Sequence, residues 1–257
     1  MSLDNIYRKG INRVWDEDAE SQKQYLSAVA ECRGMKMLDF RRMNAMFIPN
    51  DEYLLRYFDS EIASQSYGFY DYDGKCVWNN CLIMPIYNVA DKVASVAGFN
   101  PFRYTEAHEK QDWSETYYSY ASSKVFKRGS YLFYEEGDYK RALDDGYVFL
   151  TDGVFDAISV HEAGFNAMAM MGSNVTSEIA SMLLFVKRVL VLCDNDDAGY
   201  KLVNDLKRVH KRIVTVKQNV AKDIDEMLKG TQREVAIEGM KKAVAGIQSV
   251  YELGIRG

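Results

Sequence analysis

The chain has 257 residues, 47% of them hydrophobic and 27% charged, with a formal net charge of −5. A chain of this length and composition buries a substantial core, as one large domain or two to three small lobes of a soluble globular protein. No apolar run approaches a membrane span and the amino terminus lacks a signal-peptide layout, so a cytoplasmic location is expected, and the acidic balance confines any nucleic-acid binding to local basic clusters.

Residues 1–80 read as mostly helical. Trp15 to Ala30 carries Tyr25, Leu26 and Val29 at helical spacing, and Gly34 supplies a stop. A second helix is expected after Pro49-Asn50-Asp51-Glu52, through Tyr53, Leu54, Tyr57 and Phe58. From Tyr67 the pattern turns β-like, and Asp73-Gly74 is a favourable turn dipeptide. Residues 82–88 and 92–98 read as a hairpin turning at Ala90-Asp91, with Pro85 demanding an edge position or a bulge.

Three clusters are basic: Lys124-Val125-Phe126-Lys127-Arg128, Lys207-Arg208-Val209-His210-Lys211-Arg212, and Arg41-Arg42. Each by itself is a solvated charged face. The first follows Thr116-Tyr117-Tyr118-Ser119-Tyr120, and rings interleaved with cations and hydroxyls suit a single-stranded nucleic acid. An aromatic core edge explains the same tyrosines equally well. Cys32, Cys76, Cys81 and Cys193 form no C-x-x-C pair and have no histidine at zinc spacing, so no zinc is expected.

Residues 138–146 are charged and read as a surface helix or linker. The richest stretch follows. Tyr147-Val148-Phe149-Leu150-Thr151 is strand-like and ends at Asp152-Gly153, before a helix from Phe155 to Ala163 stopped by Gly164. A short strand at 166–170, a Gly/Ser/Thr loop and a helix from Ser177 to Phe185 come next. The run Val189-Leu190-Val191-Leu192-Cys193 then meets Asp194-Asn195-Asp196-Asp197-Ala198-Gly199, and a helix carries Leu202, Leu206 and Val209. Ile213-Val214-Thr215-Val216 precedes Lys222-Asp223-Ile224-Asp225-Glu226. Carboxylates at the carboxyl ends of parallel strands lie where open α/β sheets bind ligands, and oxygen donors suit a hard divalent cation. Asp197 is expected to cap its helix. Thr231-Gln232-Arg233-Glu234 opens a helical tail with Met240, Val244 and Ile247 on one face.

Asp152-Gly153 with Asp156, then Asp194-Asn195-Asp196, then Lys222-Asp223-Ile224-Asp225-Glu226, resemble the TOPRIM domain of bacterial and phage DnaG-type DNA primases. The resemblance extends upstream, to the Pro85-Ile86 strand and to Phe126-Lys127-Arg128-Gly129 with Leu132-Phe133. It implies an α/β fold in which a TOPRIM domain, a central parallel sheet flanked by helices, follows a small helical and mixed α+β lobe. The expected divisions are 1–80, 81–145, 146–230 and a helical tail, 231–257.

By the same resemblance the chain synthesises short RNA primers on single-stranded DNA with two or more Mg²⁺ or Mn²⁺ ions. Asp152, Asp194 and Asp196 become the catalytic ligands, with Asp223 and Asp225 supporting a second ion. Lys124, Lys127, Arg128, Arg103, Lys222, Tyr118 and Ser119 become contacts to nucleotide or nucleic acid. The sequence departs from the family at Asp152 (family Glu), at Thr116 and Ser119 (family Lys and Asn), and after Gly98, where the family arginine is replaced in register. Zinc ribbon and helicase-binding domain find no counterpart, so NTPs and template would be joined by a replicative helicase or a separate template-recognition protein, as in a phage or mobile-element enzyme. A TOPRIM nuclease and a catalytically idle nucleic-acid-binding accessory protein are the alternatives.

Overall fold

The computed structural model describes residues 2–63, 67–71, 73–112, 118–120, 128–172, 174–193, 197–215 and 224–254. The chain forms two compact units, Met1–Arg128 and Gly129–Gly257.

The first unit opens with helices α1 (Leu3–Glu17), α2 (Ala19–Arg33) and α3 (Met37–Arg42). The helical spacing predicts one helix across Trp15 to Ala30. Instead the chain breaks at Asp18, which leaves helical dihedrals at φ −140°. Its side chain accepts from Ser21 Oγ, the local hydrogen bonding by which Asp favours helix ends over helix interiors. Gly34 ends α2 in the left-handed region at φ 60°, as its sequence position suggested.

Strands β1 (Met46–Ile48), β2 (Cys81–Tyr87), β3 (Val93–Phe99) and β4 (Tyr118–Tyr120) make one antiparallel sheet in that order, with α4 (Asp51–Tyr57) between the first two. β1 joins the helical opening segment to the hairpin, so the segments before and after residue 81 share this sheet. An edge strand leaves backbone groups unpaired. Here the fully buried Gln22 side chain answers both free groups of Phe47, accepting from its N–H at 2.8 Å and donating to its carbonyl at 2.9 Å. Pro85 lies beyond the reach of β1, which pairs only with Cys81 to Ile83, and a bulge follows at Ile86/Tyr87. Its missing N–H therefore costs the ladder nothing. Helix α5 (Pro101–Lys110) follows β3, capped by the Asn100 side chain.

The second unit contains β5 (Leu132–Phe133), α6 (Asp138–Asp145), β6 (Val148–Thr151), α7 (Val154–Glu162), β7 (Ala167–Met170), α8 (Ser177–Leu184), β8 (Val189–Leu192), α9 (Asp197–Val209), β9 (Ile213–Thr215), α10 (Ile224–Lys229) and α11 (Arg233–Gly254). The sheet order is β5-β7-β6-β8-β9, parallel throughout except for the antiparallel edge strand β5. All residues of β6, β7 and β8 are buried, as strands covered on both faces require. Since β7 and β8 flank β6 on opposite sides, right-handed crossovers put α7 and α8 on opposite faces.

A buried charge cluster ties α6 to α7. Asp138 and Glu135 are both almost fully buried, and His161 lies between them, Nε2 3.2 Å from Asp138 Oδ1 and Nδ1 3.2 Å from Glu135 Oε1. The Nδ1 contact is an ion pair without hydrogen-bond alignment. Arg141 also donates to Asp138, whose second oxygen accepts from Glu135 N at 2.9 Å. Burial alone lowers the imidazole pKa, but the hydrogen bond to Asp138 and the charges of Asp138 and Glu135 outweigh it and hold it at about 9. A pKa raised above its ordinary 6.5 gives stabilisation that is complete below about pH 6.5 and lost as pH rises through 9. The melting temperature should therefore fall across that window, with a change in stability on the order of 2–3 kcal/mol. In His161→Gln the slope should flatten. A parent protein with a level melting temperature over the window would contradict the assignment.

Candidate active site at the strand ends

The site begins where β6 stops. Thr151 is fully buried, and its hydroxyl donates to Gly153 O at 2.8 Å, turning the chain out of the sheet. Asp152 emerges exposed from this turn, and Gly153 caps α7. The neighbouring parallel strand β8 keeps Thr151 opposite Leu192, so Asp152 and Cys193 follow adjacent strand ends. β9 lies on the far side of β8. Three adjacent parallel strands thus send their carboxyl ends to one side, as the alternating pattern of strands and acids suggested. Asp197 is the first residue of α9 and exposed, where an acid favours the helix dipole.

Asp156 sits in the first turn of α7, with its carboxylate directly over Gly153. A Cβ at position 153 would overlap Asp156 Oδ2 and approach its Cγ to 3.4 Å. Its other oxygen accepts from Asp225 N at 3.2 Å, so one carboxylate bridges the loop after β6 and the start of α10. An acid three residues after a glycine cap, in a helix's first turn, is the local signal by which the sequence marks Asp156.

Asp225 is 9% exposed and lies where α10 packs on α7. Ser159 of α7 donates to its Oδ1, and Lys229, one turn further along α10, forms an ion pair with that oxygen at 2.7 Å. The Asp225–Lys229 spacing of four residues is legible in sequence; Ser159, 66 residues away, is not.

Asp194, Asp196, Asp223, Lys222, Lys124 and Lys127 lie outside the described residues. Arg103 is exposed in the first turn of α5, its N–H bonded to Asn100 Oδ1. Tyr118 and Ser119 belong to β4 and pair with Phe99 and Gly98. Arg128 begins a short 3-10 turn, Arg128–Ser130.

Among the described residues no group of three or more His, Cys, Asp or Glu side chains is placed to hold a metal ion. Asp152, exposed at the end of β6, and the acids that the sequence sets after β8 and β9 carry oxygen donors only. That donor chemistry fits magnesium or manganese and not a soft metal.

Residues 149–228 match the Toprim-like family model. The chain is 28% identical to the DNA primase of Aquifex aeolicus (strain VF5) over 218 residues, 78% of this chain and 41% of that protein. Against the crystal structure of the Aquifex aeolicus primase zinc-binding and RNA polymerase domains the TM-score is 0.70 at 21% identity, covering 96% of this chain and 62% of that one. A DnaG primase catalytic domain bound to single-stranded DNA gives 0.66 at 16% identity, covering 92% and 79%. The fold is that of the DnaG primase catalytic core, and its second unit contains the Toprim-like domain.

Proposed function

We propose that this chain is a primase-type nucleotidyltransferase that makes short RNA primers on single-stranded DNA, with the strand-end acids as its metal site. The observation that carries the reading is the parallel pairing of β6 with β8: the two strands end side by side at Thr151 and Leu192, which in sequence immediately precede Asp152 and Cys193-Asp194-Asn195-Asp196, on a primase-core fold. Its similarity to DNA primases, and to a primase domain bound to single-stranded DNA, supports the substrate class.

Asp152, Asp194 and Asp196 would hold magnesium or manganese, with Asp223 and Asp225 alongside. When bound, a pair of such ions activates the attacking 3′-hydroxyl and stabilises the leaving pyrophosphate. Lys222, Lys127, Arg128 and Lys124 meet phosphates, while Arg103, Tyr118 and Ser119 contact the template. Asp156 positions the acid-bearing segments by joining the loop after β6 to α10.

The test uses the purified protein with single-stranded DNA, labelled ribonucleotides, and magnesium or manganese. Labelled oligomers should form, and Asp194→Asn should abolish them. Nicking of supercoiled DNA without incorporation would replace this reading with a nuclease, and binding without either reaction with an accessory protein. Asp152→Glu restores the longer acid that resembling primases carry, one C–C bond or about 1.5 Å more reach. It should raise the rate of incorporation. A lower or unchanged rate would show that the shorter acid is not limiting.

A further inference from the structure

The opposite end of the same sheet carries a second charged feature that the proposed chemistry leaves unused. At the amino-terminal ends of β8 and β9, two loops lie side by side, because Val189 pairs with Ile213 and Val189 N donates to Arg212 O at 3.2 Å. One loop holds Lys187 and Arg188, and the other Lys211 and Arg212. The last turn of α9 adds Lys207 and Arg208. Lys187, Lys207, Arg208, Lys211 and Arg212 are exposed and Arg188 is half-buried.

The frame beneath these cations is built. His210 is 7% exposed, with Nε2 3.0 Å from Val186 O and Nδ1 3.1 Å from Arg212 N. Because Arg212 N–H is a donor, Nδ1 accepts and Nε2 carries the hydrogen donated to Val186. One buried imidazole therefore staples the two basic loops together. Lys187 lies with its stem over Gly146, whose φ of +74° and missing side chain leave room for it. Asp205 pairs with Arg208 at 3.0 Å, and Asp144, near the end of α6, pairs with Lys140 at 3.3 Å. Beside the first loop, Leu184 and Phe185 are 62% and 71% exposed.

We propose that this end of the second unit is a contact surface for single-stranded nucleic acid, distinct from the acid site at the other end of the strands. Lys187, Lys207, Lys211 and Arg212 meet backbone phosphates, and Phe185 offers a ring on which a base stacks. Exposed cations beside an aromatic ring are the combination by which proteins hold single strands without reading sequence. Cations at the end of α9 also suit its dipole, but that accounts only for Lys207 and Arg208. The cations of the two stapled loops lie outside that helix.

The experiment measures binding of a fluorescein-labelled oligothymidylate by anisotropy across a salt series, so it reads the surface whether or not the protein polymerises. The variant is Lys187→Gln with Lys211→Gln and Arg212→Gln. The control removes as much charge elsewhere, through Lys23→Gln, Lys241→Gln and Lys242→Gln, all exposed in the parent. Affinity of the first variant should fall about tenfold, and the slope of log K against log salt should drop by about 2. The control should stay within twofold. Phe185→Ala should weaken binding with the salt slope unchanged. Circular dichroism checks folding, and the three single replacements are measured as well, so that a poorly folded triple variant does not decide the outcome. Parent-like affinity and slope in the single and triple variants would overturn the proposal. Equal losses in variant and control would also overturn it, since net charge alone would then be responsible.

Discussion

Gly98→Ala should destabilise the first unit by about 3 kcal/mol or more, at the upper end of what overpacking a core usually costs. Gly98 is a buried residue of β3, paired with Ile83 on one side and Ser119 on the other. A methyl group there would overlap Trp78 Cζ3 and lie 2.5 Å from Cε3. Trp78 is fully buried and stacked edge-on against Phe69, so the ring cannot swing aside without leaving the core. Thermal unfolding should show a drop of about 10 °C for a unit of this size. Trp78→Phe in the Gly98→Ala background should recover part of the loss, because the smaller ring vacates the contested space. It surrenders no hydrogen bond among the described residues, where Trp78 Nε1 has no partner. A melting temperature within a degree or two of the parent would mean that β3 shifts freely beneath Trp78.

Gly153→Ala should do the reverse, sparing the fold and removing activity. The backbone at Gly153 has φ −111° and ψ 144°, which any residue adopts, so alanine brings no dihedral strain. What it brings is a methyl group where Asp156 Oδ2 now sits. The carboxylate must rotate, and it then releases the Asp225 N–H that it holds at 3.2 Å. On the proposed reading, the loop carrying Asp152 and the segment reaching α10 lose their common anchor. Displacements near 1 Å at such a site cost about 100-fold in rate. Primer synthesis should fall by that order, while the melting temperature moves by only a few degrees. Activity within twofold of the parent would remove Asp156 from the positioning role assigned to it.

The two predictions differ because the glycines do different work. At Gly98 the neighbour is a ring locked in apolar packing, so the cost appears in folding. At Gly153 the neighbour is a short carboxylate near the surface, which can turn, so the cost appears in what that carboxylate was holding. Asp225 sits between these cases. Its bonds to Ser159 and Lys229 keep a buried charge compensated, and they tether α10 to α7.

The sequence alone settled the plan of the second unit. Apolar runs too short for helices, each ending in acid or glycine and each followed by helical spacing, admit little besides parallel strands with crossover helices. The caps at Gly34 and Asn50 were equally legible, since capping depends on residues three or four positions away, whereas the helix that Asn100 caps was not expected. Tertiary structure decided everything that depends on distant partners. No local pattern says that Gln22 closes the edge of β1, that Asp18 splits a helical run, or that β5 adds an antiparallel edge to a parallel sheet. Nor does spacing show that Asp225 answers to Ser159 and Asp156, or that His210 staples two basic loops. Periodicity reports which face of an element is apolar, whereas the partner of a buried polar group is fixed only when chain segments dozens of residues apart are brought together.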